Sequence, residues 1–298
     1  MIIPAYLKKG DKVAIVCTAR KFSKVEAQPA IELLESWGLI PILGDTIDND
    51  NFQLGGTDKE RADDFNKQLA DSSVKAIWCA RGGYGTVRIV DQINFDLLFA
   101  NPKWIVGFSD VTVLHNHIHS LGMATIHGIM AFSVSKATEE SKASLYKAWF
   151  GEVLSYSEQG DVNNRVGKAK GELIGGNLSI IYSLLGSSSA ISTKGKILFI
   201  EDLDEYLYHI DRMMYNLKRN GLLSDLAGLI VGGMTDMHDN AIPFGYNAIQ
   251  IIQTITAEYD YPIVFDFPAG HGEMNQALVF GREVEVKVSE QSVEVTFI

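Results

Sequence analysis

The sequence predicts an α/β protein in two parts: an open, mostly parallel sheet flanked by helices, then a smaller mixed α/β domain closing on an antiparallel hairpin. Three observations carry this. Short apolar runs at 12–17 (KVAIVC), 75–80 (KAIWCA) and 104–108 (WIVGF) alternate with stretches of helical period, as buried parallel strands joined by crossover helices do. From 133 to about 168 the chain turns polar and loses its period, apart from a helical segment near 142–150. At the C-terminus, VEVKV and VEVTF alternate apolar and polar residues about a turn apart, the pattern of a hairpin. These breaks divide the chain into an N-terminal domain (1–132), a connection (133–168) and a C-terminal domain (169–298).

Composition narrows the function classes. At 298 residues, 46% hydrophobic and 21% charged, the chain can bury two cores and has the make-up of a soluble globular protein. Its net charge of −11 argues against nucleic-acid binding, which needs clustered Lys and Arg. No window approaches the ~20 apolar residues of a membrane span. The opening MIIPAYLKKGDKVAIV lacks the basic region, apolar run and cleavage site of a secretory signal, so the expected location is cytoplasmic. Cys17 and Cys79 lie in or beside strand-like runs and are expected as buried free thiols.

Taken in order, the first strand (12–17) ends at Thr18-Ala19-Arg20, a loop at the edge where open α/β sheets bind ligands. A helix follows over 26–37, with Ala27, Ala30, Ile31, Leu34 and Trp37 on one side and Gly38 as its stop. A strand at 40–43, a helix at 58–70 and a strand at 75–80 complete a β-α-β-α-β unit. The third strand runs into Arg81-Gly82-Gly83-Tyr84-Gly85, before a helix expected over 86–93. Glycines there permit positive φ and close approach of a ligand to backbone N–H groups. An ordinary turn and a phosphate loop are the alternatives, although G-G-x-G completes neither nucleotide motif.

The stretch 104–117, WIVGFSDVTVLHNH, reads as strand, sharp corner and helix, with Ser109 and Asp110 on the corner. A serine there can hold its hydroxyl clear of the backbone, beside N–H groups at a helix start. The competing reading is a helix cap, because G-x-S-D falls short of the G-x-S-x-G elbow. Both loops leave the same sheet edge, so one site is expected to use both. A further strand is expected at 124–128.

In the second part, 171–177 reads as a strand and turn entering a helix that stops at Gly186. Asn177 fits an N-cap, while the Gly176-Asn177 helix start could equally receive a substrate carboxylate. The strand at 196–200 ends on Glu201, Asp202, Asp204 and Glu205, either functional acids or a solvated loop favoured by a helix dipole. Helices at 206–217 and 248–256 and strands at 226–231 and 263–267 follow. The last of these strands runs into Pro268-Ala269-Gly270-His271-Gly272-Glu273, where a histidine between glycines lacks local packing partners.

Ser109, an acid of the 201–205 cluster and His271 therefore all fall at strand ends. A serine hydroxyl becomes an effective nucleophile when an imidazole takes its proton, and the imidazole works best when a carboxylate fixes its tautomer. His115, His117 and His119 form H-x-H-x-H, but no carboxylate or H-E-x-x-H context turns them into a metal site.

The blocks ARGGYGTVRIVDQINFDLL, PKWIVGFSDVTVLHNHI, IHGIM, GELIGGNLSII, KILFIEDLDEYLYHIDRMMYNL and FPAGHGEMNQALVFG, in this order, resemble the LD-carboxypeptidase family of serine peptidases, which includes the microcin C immunity peptidases. The resemblance runs from about Asp11 to the C-terminus. It implies a flavodoxin- or Rossmann-like first domain and a Ser-Glu-His triad carried by Ser109, Glu201 and His271, with Glu205 one helical turn from the second. It further implies a cytosolic amidase, needing neither metal nor other cofactor, that cleaves between the L-centre of a diamino acid and the terminal D-alanine of murein tetrapeptides. A small peptide is thus the expected partner, with no nucleic acid or membrane, and a homodimer the expected assembly. The oxyanion would be held by the N–H groups of Gly83 and Asp110, each donor typically worth ~3–4 kcal/mol. Arg81, Gly82, His127, Gly176 and Asn177 are the expected substrate contacts, with Arg81 equally able to serve a structural ion pair.

Two rivals stand beside this reading. An immunity-type amidase acting on a peptidyl or aminoacyl nucleotide would stack the base on an aromatic from a longer loop near the Gly-Gly-Asn block. Here that loop reads LLGSSSAISTKG, short and without tryptophan. A non-catalytic ligand-binding protein on the same scaffold would have no reason to keep all three triad residues.

Overall fold

The computed structural model describes residues 1–298 and contains two sheets that share one continuous core. Strands β1 (Lys12–Val16), β2 (Ile40–Leu43), β3 (Val74–Cys79), β4 (Trp104–Gly107) and β5 (Thr125–His127) pair in parallel in the order β5-β4-β3-β1-β2. The second sheet uses β6 (Ser155–Gln159), β7 (Gly167–Asn177), β8 (Ile197–Leu203), β9 (Gly228–Thr235) and β10 (Ile263–Val264). After β10 the chain returns to the first sheet: β11 (Leu278–Phe280) pairs antiparallel with β5. It then closes on β12 (Glu283–Val288) and β13 (Ser292–Phe297), the expected antiparallel hairpin. The seven-stranded order is β10-β9-β8-β7-β12-β13-β6, parallel from β10 to β7 and antiparallel beyond.

Helices α1 (Lys24–Ser36), α2 (Asp58–Ala70), α3 (Phe95–Ala100), α4 (Thr112–Ser120) and α5 (Glu139–Phe150) belong to the first layer. Capping boxes start α1 (Ser23 with Glu26) and α2 (Thr57 with Glu60), so each entry is dictated locally. In β3 the period of two sends Ala76 and Trp78 to the core shared with the second sheet, and Ile77 and Cys79 to the core under α2 and α4. Helices α6 (Leu178–Ser183), α7 (Leu207–Arg219) and α8 (Ala248–Thr256) cover the other face of the second sheet, packing Ile181, Met213 and Ile252 against Leu198 and Val231.

One segment differs from expectation. The stretch 86–93 forms two 3-10 turns, Thr86–Arg88 and Val90–Gln92, in place of one helix. Thr86, Val87, Ile89, Val90 and Ile93 are β-branched, which weakens continuous α-helix. The expected connection, 133–168, is built into both layers: Leu145 and Trp149 of α5 pack in the core with Trp78, while β6 forms an edge of the second sheet.

Candidate active site

The C-terminal ends of β1, β3 and β4 face those of β7 and β8 across an open cavity of about 480 Å³. This is the edge at which open α/β sheets bind ligands, and here two such edges meet. Arg20, Arg81, Gly82, Gly83, Ser109 and Asp110 line it from the first sheet; Asn177, Ser179, Asp204 and His271 line it from the second part.

Ser109 stands on the corner with φ of +62°, a left-handed conformation that a non-glycine residue rarely adopts. The corner continues as a 3-10 turn, Ser109–Val111, into α4, and no side chain caps either start. The hydroxyl is thus not spent as a helix cap. It is held beside Gly82, where an added Cβ would stand 3.4 Å from Oγ, and within the cavity that His271 also lines.

Facing it, Glu201 and Asp202 lie within the C-terminal end of β8 as buried residues rather than in a solvated loop. Successive strand side chains point to opposite faces, which separates the two acids. Glu201 Oε2 accepts a 2.6 Å hydrogen bond from His271 Nδ1 and a 3.3 Å bond from the His271 backbone N–H. The approach depends on Gly270, since an added Cβ would fall 2.7 Å from that carboxylate. Burial pushes the His271 pKa down, but the charge and hydrogen bond of Glu201 outweigh it and leave the imidazole above its ordinary value. The ring of Phe108, the residue before Ser109, lies 4.8 Å from that of His271, centroid to centroid.

The other acids of the cluster go elsewhere. Asp202 accepts from Asn177 Nδ2 at 2.9 Å and from the Ser179 and Leu203 N–H groups; burial, then the charge of Glu201, push its pKa up to about 7. Glu205 pairs with His209 at 2.6 Å and Asp204 with His238.

A frame of buried polar groups holds the Gly-rich loop. Arg61, fully buried, donates to the carbonyls of Thr18 and Gly85, the latter at 2.9 Å, and pairs with Asp58. The Asp110 carboxylate accepts the Thr86 N–H at 2.8 Å. Burial pushes the Asp110 pKa up, against the hydrogen bonds from Thr86 and the charge of Arg61. Asp110 thereby ties the Ser109 corner to the exit of the loop, and the N–H of Gly83 meets no acceptor in the chain. Arg61 did not stand out in the sequence, because a buried charge in an amphipathic helix looks like a surface one, and the Asp110 side chain, which could there be read as a helix cap, instead bonds the Thr86 N–H.

Of the expected substrate contacts, Arg81, Gly82 and Asn177 line the cavity. His127 does not. It is fully buried in β5 among Phe108, Phe199 and Phe280, and burial lowers its pKa well below the ordinary value, so a substrate role is withdrawn. Gly176 also lies behind the wall, where an added Cβ would strike Thr112 Oγ1 at 2.5 Å; Asn177 alone carries that helix start into the cavity. Asn177 caps α6 through Ile180 N–H, and its own N–H donates to Thr112 Oγ1 at 3.0 Å, joining the two halves beside the site. The histidines of α4 have separate partners: His115 bonds Thr125 and Gly107, His117 bonds Ser189, and His119 bonds Glu172. No helix is long and apolar enough to cross a membrane.

The chain matches the LD-carboxypeptidase N-terminal domain over residues 13–128 and the LD-carboxypeptidase C-terminal domain over residues 170–286. It is 37% identical over 300 residues to a probable murein peptide carboxypeptidase of Bacillus subtilis strain 168, covering 97% of this chain and 92% of that one. The microcin C7 self-immunity protein MccF of Escherichia coli is 24% identical over 331 residues, covering 99% and 96%. The crystal structure of muramoyltetrapeptide carboxypeptidase from Oxalobacter formigenes superposes with a TM-score of 0.86 at 23% identity, covering 96% and 98%, a likeness of fold. With both domain matches in order and a relative of this identity along nearly its whole length, the chain belongs to the LD-carboxypeptidase family.

Proposed function

We propose that this protein is a serine carboxypeptidase that hydrolyses the amide bond between an L-configured diamino acid and the terminal D-alanine of murein tetrapeptides. The observation that carries the reading is the pair formed by His271 and a fully buried Glu201, facing an unspent serine on a left-handed corner. Ser109 Oγ attacks the scissile carbonyl and His271 takes its proton, with Glu201 orienting the ring and steadying the imidazolium. Charge developing on the carbonyl oxygen is received by the N–H groups of Gly83 and Asp110. His271 then hands the proton to the departing amine of D-alanine, and water, activated by the same imidazole, releases the acyl group from Ser109. No step calls for a metal or another cofactor. Arg81, Gly82 and Asn177 contribute to the substrate wall.

The names of the relatives support the murein substrate, and the short 184–195 loop disfavours a nucleotide-stacking site. A cytoplasmic location and a homodimer complete the reading; light scattering on the purified chain tests the latter.

The deciding experiment follows D-alanine release from L-Ala-γ-D-Glu-diaminopimelyl-D-Ala, with chelator present, by the intact protein and by Ser109→Ala. Release by the first and not the second is expected. Release by neither would overturn the murein assignment and direct attention to aminoacyl nucleotides, whereas release by Ser109→Ala would remove the serine from the chemistry.

A further inference from the structure

The charged groups that line the cavity differ in what holds them. Asp110 is buried against the Thr86 N–H, Asp204 is paired with His238, and His271 is paired with Glu201. Arg81 lies with its guanidinium 4.1 Å above the Phe132 ring and 3.9 Å from Glu26. Arg20 has no ion pair and its guanidinium makes no hydrogen bond within the chain, although it lines the same cavity. In a protein of net charge −11, an unpaired cation lining an active-site cleft is a place for an anion.

Its placement is specific. The stem of Arg20 lies across Gly83, so that a Cβ there would meet Nε at 2.6 Å and Cδ at 2.7 Å. Gly82, one residue back, is the neighbour of Ser109 Oγ. The Arg20 stem and the Ser109 hydroxyl therefore lie against adjacent residues of the same loop. In a peptide, the carboxylate of the last residue likewise lies one residue beyond the carbonyl to be attacked.

We propose that the Arg20 guanidinium receives the free α-carboxylate of the substrate's C-terminal residue, and so makes the site an exopeptidase site. The proposal rests on the carboxypeptidase reading above and names its carboxylate receptor. A guanidinium presents a planar fork that suits bidentate binding of a carboxylate. Arg81, stacked and partly paired, forms the wall beside it.

The test compares kcat/KM for the tetrapeptide and for the same peptide ending in D-alaninamide, in the wild type, Arg20→Gln, Arg20→Lys and Arg81→Gln. Since Arg20 is exposed, all its variants are expected to fold, which melting curves check. The wild type is expected to prefer the acid by about 30- to 100-fold, the worth of a charge-assisted contact. Arg20→Gln should lose that preference by slowing on the acid alone, Arg20→Lys should keep part of it, and Arg81→Gln should keep most of it. An active wild type with no preference, or an Arg20→Gln variant that retains it, overturns the role of Arg20 and leaves the carboxypeptidase reading standing. A wild type inactive on both peptides overturns that reading and this inference with it.

Discussion

His271 Nδ1 lies 2.6 Å from Oε2 of Glu201, a carboxylate with no exposed surface and whose other oxygen meets no protein donor. The carboxylate is thus committed to one imidazole. Replacing it by the isosteric amide keeps the shape but presents the wrong hydrogen-bonding pattern to the ring. Glu201→Gln is expected to fold normally and to lose roughly 10³- to 10⁴-fold in kcat, with KM little changed. Steady-state kinetics check this, and a variant within tenfold of the wild type would exclude the pair from the chemistry.

The same pair sets the pH dependence. As the proposed base, His271 acts only when neutral, and Glu201 holds its pKa above the ordinary value against the opposing effect of burial. Activity should therefore fall on the acid side, with a midpoint above that of a free imidazole. In Glu201→Gln the larger raising influence is gone, leaving burial opposed only by the charge of Asp202, so the residual activity should have its acid limb at lower pH. Profiles of kcat/KM against pH decide the matter; identical limbs would contradict it.

Arg61 acts on the reaction at one remove, through the loop that holds Gly83. Arg61→Met would leave the Thr18 and Gly85 carbonyls without their buried donor, at about 1–3 kcal/mol each. It should lower the melting temperature and also reduce kcat by ~100-fold, the scale of a lost oxyanion donor, with a smaller change in KM. Arg61→Lys, which restores the charge but not the fork, should recover part of both. A variant with reduced melting temperature but wild-type kcat would show that the frame serves stability alone.

Stability should also depend on pH through His115. Burial lowers its pKa to about 4 in the folded state, below the ordinary 6.5. As pH falls from 6.5 towards 4, the unfolded chain takes up a proton that the folded chain refuses. Stability is therefore lost across that window, by about 3 kcal/mol from this residue. Urea midpoints between pH 4.5 and 7.5 should show a shallower decline for His115→Asn than for the wild type. Parallel declines would refute the assignment.

Much of this was legible in the linear chain. The succession of strands and helices through residue 80 and the corner at Ser109 rest on period and chain breakers, which act over a few residues. The chemistry-bearing loops could be placed at strand ends for the same reason. The inward turn of His127 was not legible, because a strand histidine looks alike on either face until the neighbouring strands are known. Nor was the choice between Glu201 and Glu205, which the resemblance assigned and which differ in the structure by their partners, His271 and His209.

What the sequence by itself determined is the set of local elements and the residue types delivered to each strand end. Tertiary structure alone decided which of those residues meet. Glu201 and His271 are 70 positions apart, Asp110 reaches Thr86 across 24, and β11 pairs with β5 across the five intervening strands of the second sheet. Such contacts follow from how two sheets bury a common core, a long-range packing problem on which local period and propensity place no constraint.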